Sequence, residues 1–494
     1  MKTCCKNHSL FIVVFSLFVS NLIAQKQANY WYFADLAGLH FANGEPEILN
    51  DGQIDAATCI EASSAISDSS GQLLFYCCAK KIYNRLHQIM PNGDHLLGGG
   101  SSTQGALIVP MPGSDERFYV FTLDEFQNNL ANGLNYYIVN MCLDNGLGDV
   151  ELTPSFATSV QKGTLLLADA GEKLCATYHQ NGADIWVVTR KHFSNEFYSF
   201  LITELGIQDP TISAIGWDNS NPDPDTEYSS ALGQIKISPD GSKLAMAVGN
   251  HAPGYVQLFD FDNSTGQLTN EKTLYADNAS NQYGIAFSPD NTKLYMRGAP
   301  PTGIRQFDIT LSGESEIVQS AAAVPWIGGY GGTGMQLANN GKIYVSFNTH
   351  LGVINAPNLS VPDCNYIGEA IDIYAAIGTF SSYTLPSFMD GFNYHNGIPA
   401  CLPDSQIELA QNDFIVLSPM PCNSHLVVAS SHTNIHISQL KIVNATGQTM
   451  AQLNASAIGQ FKFEIDTSDL PNGVYFLEIL TNENKFFRKI VVDR

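Results

Sequence analysis

The sequence predicts an all-β protein whose larger part is a ring of small sheets, a β-propeller, and three observations carry that prediction. The phrase SPDGSKLAM at Ser238–Met246 returns about fifty residues later as SPDNTKLYM at Ser288–Met296. Each phrase sets a Pro-Asp-Gly or Pro-Asp-Asn reversal between two alternating apolar runs, the pattern of a β-hairpin. The 494 residues include 41 glycines and 11% aromatics with no sustained helical period, which favours strands and tight turns over long helices.

The chain opens with MKTCCKNHSLFIVVFSLFVSNLIA. Lys2 and Lys6 precede an apolar run from Leu10 to Ala24, and polar QKQ follows. A membrane span needs about 20 apolar residues, so the layout is that of a secretory signal peptide over residues 1–24, with cleavage expected after Ala24. No cysteine follows the expected cut, which disfavours a lipid anchor. No later segment is apolar for long enough to span a bilayer.

The formal net charge is −23, and it becomes −25 without the two leader lysines. Nucleic acid and anionic lipid surfaces would be repelled by such a chain, so neither is expected as a partner. Of the ten cysteines, Cys4 and Cys5 leave with the leader, and the rest have no framework spacing. Export permits disulfides, yet Cys77 and Cys78 sit side by side in the strand-like run LLFYCCA and must face opposite ways. Some of these thiols are therefore expected to be small core fillers. The absence of CxxC argues against a zinc ribbon or a redox pair.

Looser versions of the hairpin phrase recur near Ser70, Ser114, Gly171 and Asn340, giving six signals between residues 60 and 350. Several are followed by a further strand-like run, such as YVQLFDFD from Tyr255 and IRQFDI from Ile304. The period is thus one four-stranded sheet of roughly fifty residues, and such sheets bury their faces by stacking around an axis. Residues 25–397 are assigned to the propeller, with seven blades favoured and six the runner-up. The opening NYWYFADLAGLHFAN has no turn phrase of its own and can close the ring with YTLPSFMDGFNY, which ends near residue 394. A closed ring leaves no open sheet edges.

Prolines and polar residues at 398–411 read as a linker. Residues 412–494 hold 7 acidic and 6 basic side chains, so the acidity belongs to the propeller. Alternating runs such as HISQLKIV and GVYFLEIL predict a compact β-sandwich there.

This last segment resembles the C-terminal sorting domain of proteins exported by the type IX secretion system of Bacteroidetes-type bacteria. The matching residues are Pro419 and Pro421, NATGQ at Asn444–Gln448 with Gly447, DLPNGVYFLEI at Asp469–Ile479 with Gly473 and Tyr475, and RKIVV at Arg488–Val492 with Lys489. Met420 stands where the family's proline pair usually encloses an asparagine. The resemblance implies outer-membrane translocation, contact with the type IX machinery, removal of the tail, and either release or attachment at the cell surface. Gly473 is also expected to relieve a tight turn, with Leu477 and Ile479 pointing inward beyond it. The mature N-terminal part, including NYWYFADLAGLHFANGEP and SSAISDSSGQLLFY, is similar to the start of large exported propeller proteins from the same bacteria.

Chemistry is sparse. GYGGTG at Gly329–Gly334 fits a dinucleotide pattern but runs into a strand rather than a helix, and LLGGGSSTQG at Leu96–Gly105 lacks the lysine of a phosphate loop. There is no GxSxG elbow and no HExxH helix, and His432 and His436 lie in a strand-and-turn segment. The best site candidate is DNSNPDPDTE, where Asn219, Asn221, Asp223, Asp225 and Glu227 fall at alternate positions and could offer oxygens to calcium. No catalytic residue and no other cofactor is assigned. The expectation is a secreted or surface-displayed propeller that binds a glycan or protein ligand. The alternatives are an extracellular hydrolase or lyase working in the axial funnel, and a structural or motility-associated surface protein. Paired buried carboxylates in that funnel would favour the enzyme.

Overall fold

In the computed structural model the described residues are 26–399 and 415–492, except 34, 43, 153–161, 219, 221–230, 250–253, 278–281, 299–302, 326–333, 348, 379–382, 392–396, 419–421, 431–436, 445–447, 455–461 and 482–484. Seven antiparallel sheets follow one another at 30–49, 63–94, 106–167, 170–214, 235–277, 282–324 and 335–372. Each is one blade, and in blades 2 to 7 the first strand of the sheet lies innermost. These inner strands are Ser63–Ser67, Ala106–Pro110, Ala170–Tyr178, Ile235–Ile237, Gln282–Phe287 and Met335–Leu337. Most of their residues are buried on both faces, which explains why they read as apolar runs.

The ring closes at blade 1, whose sheet has three strands: Tyr30–Phe33, Ala37–His40 and Glu47–Leu49. Residues 383–390 take the inner place there. The Ser387 N–H bonds the Ser63 carbonyl of blade 2 at 2.8 Å, the Gly334 N–H of blade 7 bonds the Tyr383 carbonyl at 3.0 Å, and Phe388 packs against Trp31. Blade 7 meets blade 1 directly through Tyr344 against Trp31 and Phe41, and through Lys342 Nζ to Glu45 at 2.6 Å. The expected joining of the two chain ends in one blade is what the structure shows, with seven blades.

The repeated phrase has a local cause. Ser238 Oγ accepts the Lys243 N–H at 2.9 Å and donates to Asp240 at 2.6 Å, while the Lys243 ammonium meets Asp260 on the third strand at 3.0 Å. Ser288, Asp290, Lys293 and Asp308 repeat these bonds at 2.9, 2.7 and 2.7 Å. The fourth turn residue is left-handed in both, with φ of 70° at Gly241 and 63° at Asn291, which is why glycine and asparagine alternate there. The turns also touch: the Asp240 N–H bonds Asn291 Oδ1 at 3.0 Å.

One of the six expected hairpins is corrected. The turn before Gly171 joins blade 3 to blade 4, because Thr164–Leu167 pairs with Leu134–Asn140 whereas Ala170–Tyr178 pairs with Ile185–Lys191. The hairpin of blade 4 turns at 179–184 instead.

Cys59 and Cys78 form a disulfide, and Cys142 is also disulfide-bonded. Cys77, Cys175, Cys364 and Cys422 are free and buried, so neighbours Cys77 and Cys78 do take different roles. The C-terminal segment forms a sheet of three strands and a sheet of four that share one core, including Leu426, Val428, Leu440, Ile465, Leu477 and Ile479. The expectation for Gly473 is corrected here. It opens the strand Gly473–Thr481 outside the left-handed region, and the nearest atom to an added Cβ would be Tyr475 Cε2 at 3.8 Å.

Candidate functional site at the propeller axis

Side chains that cross from blade to blade bridge the axis. The Gln104 amide bonds both backbone groups of Ile235, accepting its N–H at 2.8 Å and donating to its carbonyl at 3.0 Å. Gln234 Oε1 accepts the N–H groups of Ile285 and Met335 at 3.1 and 3.0 Å. Buried Lys236 reaches Gln336 Oε1 at 2.7 Å and Asp390 at 3.9 Å, and Asp390 also accepts the Ile237 N–H at 2.8 Å. The cavity beside Lys236, Gln336 and Asp390 measures about 10 Å³, room for roughly one water. Burial raises the Asp390 carboxyl to about 6 despite Lys236. The axis is therefore bridged by a polar stitch.

The leading ends of the inner strands carry the titratable groups. Glu61 precedes the blade 2 strand, Thr103 precedes that of blade 3, Glu172 lies in that of blade 4, and Tyr283 in that of blade 6. Thr103 donates its Oγ1 hydrogen and its N–H to Glu172 Oε2 at 2.9 and 2.8 Å, and the Phe126 N–H donates to Glu172 Oε1 at 2.8 Å. The Tyr283 hydroxyl lies 3.0 Å from Thr103 Oγ1 and 3.1 Å from Glu61 Oε2. Thr103, Glu172 and Tyr283 are buried, whereas Glu61 keeps part of its surface open. Desolvation, then the Glu172 charge, pushes Glu61 up to about 8, against the pull of Tyr283. Desolvation raises Glu172 to about 7 against its three donors and Lys173. The Lys173 ammonium is held by the carbonyls of Ala231, Leu232 and Gly233.

Two loops frame this mouth. In the stretch Leu96–Gly105, a Cβ on Gly99 would overlap the Glu125 backbone and one on Gly100 the Thr58 carbonyl oxygen. The three glycines thus allow close packing and deliver Thr103 and Gln104 to the axis, rather than cradling a phosphate. Glu125 accepts the Ser101 N–H at 2.7 Å and faces Lys80 at 3.8 Å. Beyond Lys80 opens a cavity of about 370 Å³ lined by Thr58, Lys80, Lys81, Asp94, His95 and Leu96.

The calcium candidates Asn219, Asn221, Asp223, Asp225 and Glu227 lie outside the described residues, as do Ala24, Pro419, Pro421, Gly447 and the histidines His432 and His436. Lys489 lies in the strand Lys485–Val492, and Tyr475 is buried with its hydroxyl donating to the Pro471 carbonyl at 2.8 Å. The sequence reading missed Glu61, Thr103, Glu172 and Tyr283. A signal existed for one of them: EK inside AGEKLCATY places two charges in a run that is otherwise apolar or small.

An all-β propeller whose axis is bridged by side-chain stitches, joined to a small sandwich, is the class that fold and site define. Residues 417–493 match the family described as Secretion system C-terminal sorting domain. The tail is a type IX sorting domain, and it marks the propeller for export to the cell surface or the extracellular space. No curated protein matches the chain. Among solved structures it overlaps hydrazine synthase of Kuenenia stuttgartiensis at 13% identity, covering 70% of this chain and 97% of that one, with a TM-score of 0.40. A functionally unknown protein from Desulfotomaculum acetoxidans DSM 771 overlaps at 13% identity over 73% and 99%, with a TM-score of 0.37. The periplasmic gluconolactonase PpgL of Pseudomonas aeruginosa overlaps at 12% identity over 78% and 94%, with a TM-score of 0.34. Overlaps of this depth say nothing about the chemistry of this chain.

Proposed function

We propose that the protein is an exported binding module that holds a glycan or protein ligand at the mouth end of its propeller axis. The observation that carries this reading is the Glu61 cluster: a half-buried glutamate and a tyrosine hydroxyl set above an axis bridged by side chains. The cavity of about 370 Å³ beyond Lys80, whose ammonium faces Glu125, falls within the usual range for ligand sites. Residues 1–24 would direct the chain across the inner membrane, with cleavage after Ala24. The tail would then pass the propeller through the type IX machinery and be removed, leaving it released or attached at the surface.

The hydrolase reading draws support from the same place, since two carboxyls with raised and unequal proton affinities are what acid–base work requires. Glu172 argues against it. Both its oxygens are occupied by Thr103 and Phe126, and it has no surface at which to meet a substrate. Screening the propeller on a glycan array, then assaying the captured sugars for turnover, separates the readings. Binding without turnover, weakened at least tenfold in Glu61→Ala, is the expected result. Turnover abolished by Glu172→Gln would replace this proposal with the enzyme.

A further inference from the structure

The four axial side chains make three oxygen–oxygen contacts in series: Glu61 to Tyr283, Tyr283 to Thr103, and Thr103 to Glu172. Each contact needs one hydrogen, because lone pairs facing at about 3 Å repel. The tyrosine and threonine hydroxyls supply one hydrogen each, and an ionised carboxylate supplies none. With both glutamates charged, three contacts would share two hydrogens and one contact would be empty. With both neutral, four hydrogens would serve three contacts, and one would have to sit on a carboxyl oxygen outside the chain. One added proton satisfies all three.

We infer that Glu61, Tyr283, Thr103 and Glu172 form a single hydrogen-bonded chain that holds one proton between its two carboxyl ends. The chain has two settings. In the first, Glu61 carries the proton and donates to Tyr283, Tyr283 donates to Thr103, and Thr103 donates to Glu172. In the second, Glu172 carries it and both hydroxyls turn outward, so that Tyr283 donates to an ionised Glu61. Reversing the two hydroxyls together moves one negative charge between a buried position and the mouth. The first setting is the resting one, since Glu172 receives the backbone N–H groups of Thr103 and Phe126 besides the Thr103 hydroxyl and lies near Lys173, whereas Glu61 faces Glu125. Glu125 is itself steadied by Ser101 and Lys80, and Lys173 by the three carbonyls at 231–233. Burial raises both carboxyls, and the Glu172 charge adds to the rise at Glu61 whereas three donors and Lys173 restrain Glu172, which agrees with that setting. The Glu61 end is thus a neutral carboxyl at neutral pH, its hydrogen spent on Tyr283, and becomes anionic in mildly alkaline solution. The proton count goes beyond the ligand-binding reading and stands whether or not that reading survives.

Infrared spectroscopy of the intact propeller tests it, because a protonated carboxyl absorbs apart from carboxylates. A single such band is expected at neutral pH, fading as pH rises through about 8 and missing in Glu61→Gln. Asp390, which loses its proton at about 6, is recognised by its disappearance in Asp390→Asn. In Thr103→Val the chain is cut between Tyr283 and Glu172, so the midpoint should move by about one pH unit. Circular dichroism confirms folding, and Tyr283→Phe serves if Thr103→Val does not fold; it should lose the link altogether and shift the midpoint too. No band at neutral pH, two bands from the glutamate pair, or a midpoint that both variants leave in place would overturn the inference.

Discussion

At the scale of single residues, the arrangement that most departs from ordinary packing is the set of charges held at the axis. Glu61 keeps its proton far above the ordinary carboxyl value of 4.5 because burial penalises its charged form, and the same cause raises Glu172 and Asp390. At these three carboxyls the folded state then binds more protons than the unfolded chain between the ordinary carboxyl value and about 8, an effect that buried His192, lowered to about 4, opposes below pH 6.5. Stability is greatest below that window and declines as pH rises through it. Urea titrations from pH 5 to pH 9 should show this fall. Glu61→Gln should flatten its upper part, leaving a smaller decline from Glu172 and Asp390. A native profile that rises over this interval would remove the physical basis of the site. Legibility was poorest here. Glu61 in CIEASS, Thr103 in SSTQG and Tyr283 in NQYGI look unremarkable locally, and only closure of the ring brings them together, across sequence separations of 180 between Tyr283 and Thr103 and 222 between Tyr283 and Glu61.

At the scale of elements, the hairpin turn was the most legible part of the chain because its bonds are local. Serine, aspartate, a left-handed fourth residue and lysine each serve the turn or the strand beside it, so the phrase survives repetition. The same logic explains the misreading near Gly171: a turn sequence marks a reversal but does not say which strands pair across it. In blade 4 the reversal joins blades, and partner choice is made by the sheet. Gly241→Ala tests the turn. The added Cβ meets Asn263 Nδ2 and the backbone sits at φ 70°, so a loss of about 1–2 kcal/mol in urea unfolding is expected. Asn291→Gly at the matching position keeps the backbone conformation but gives up the bond to the Asp240 N–H, and should cost less, about 0.5–1 kcal/mol. Equal losses at both positions would mean that the left-handed backbone is not what selects these residues.

At the scale of the whole molecule, stability depends on a segment far from its blade in sequence. Residues 383–390 complete blade 1 and then cross to the opposite side, where the Asp390 N–H bonds the Ala176 carbonyl at 2.7 Å and its carboxylate meets Lys236 and Ile237. Asp390→Ala leaves the Lys236 ammonium buried without its charge partner and is expected to destabilise the propeller by about 3 kcal/mol. Lys236→Met together with Asp390→Leu should recover much of that loss, as thermal denaturation of the single and double variants would show. The blade count and the sandwich followed from patterns that repeat along the chain, whereas this latch did not, since FMDGF carries no sign of a partner some 150 residues earlier.

The central claim is that ligand is held at the mouth of a bridged axis, and hydrogen–deuterium exchange on the propeller with a ligand captured from the array tests it most directly. Protection is predicted in peptides covering Thr58–Ala62, Gly100–Gly105 and Ala170–Lys173, with the hairpin turns at Ser238 and Ser288 unchanged. Protection confined to those turns, to the outer strands or to the C-terminal sandwich would contradict the claim.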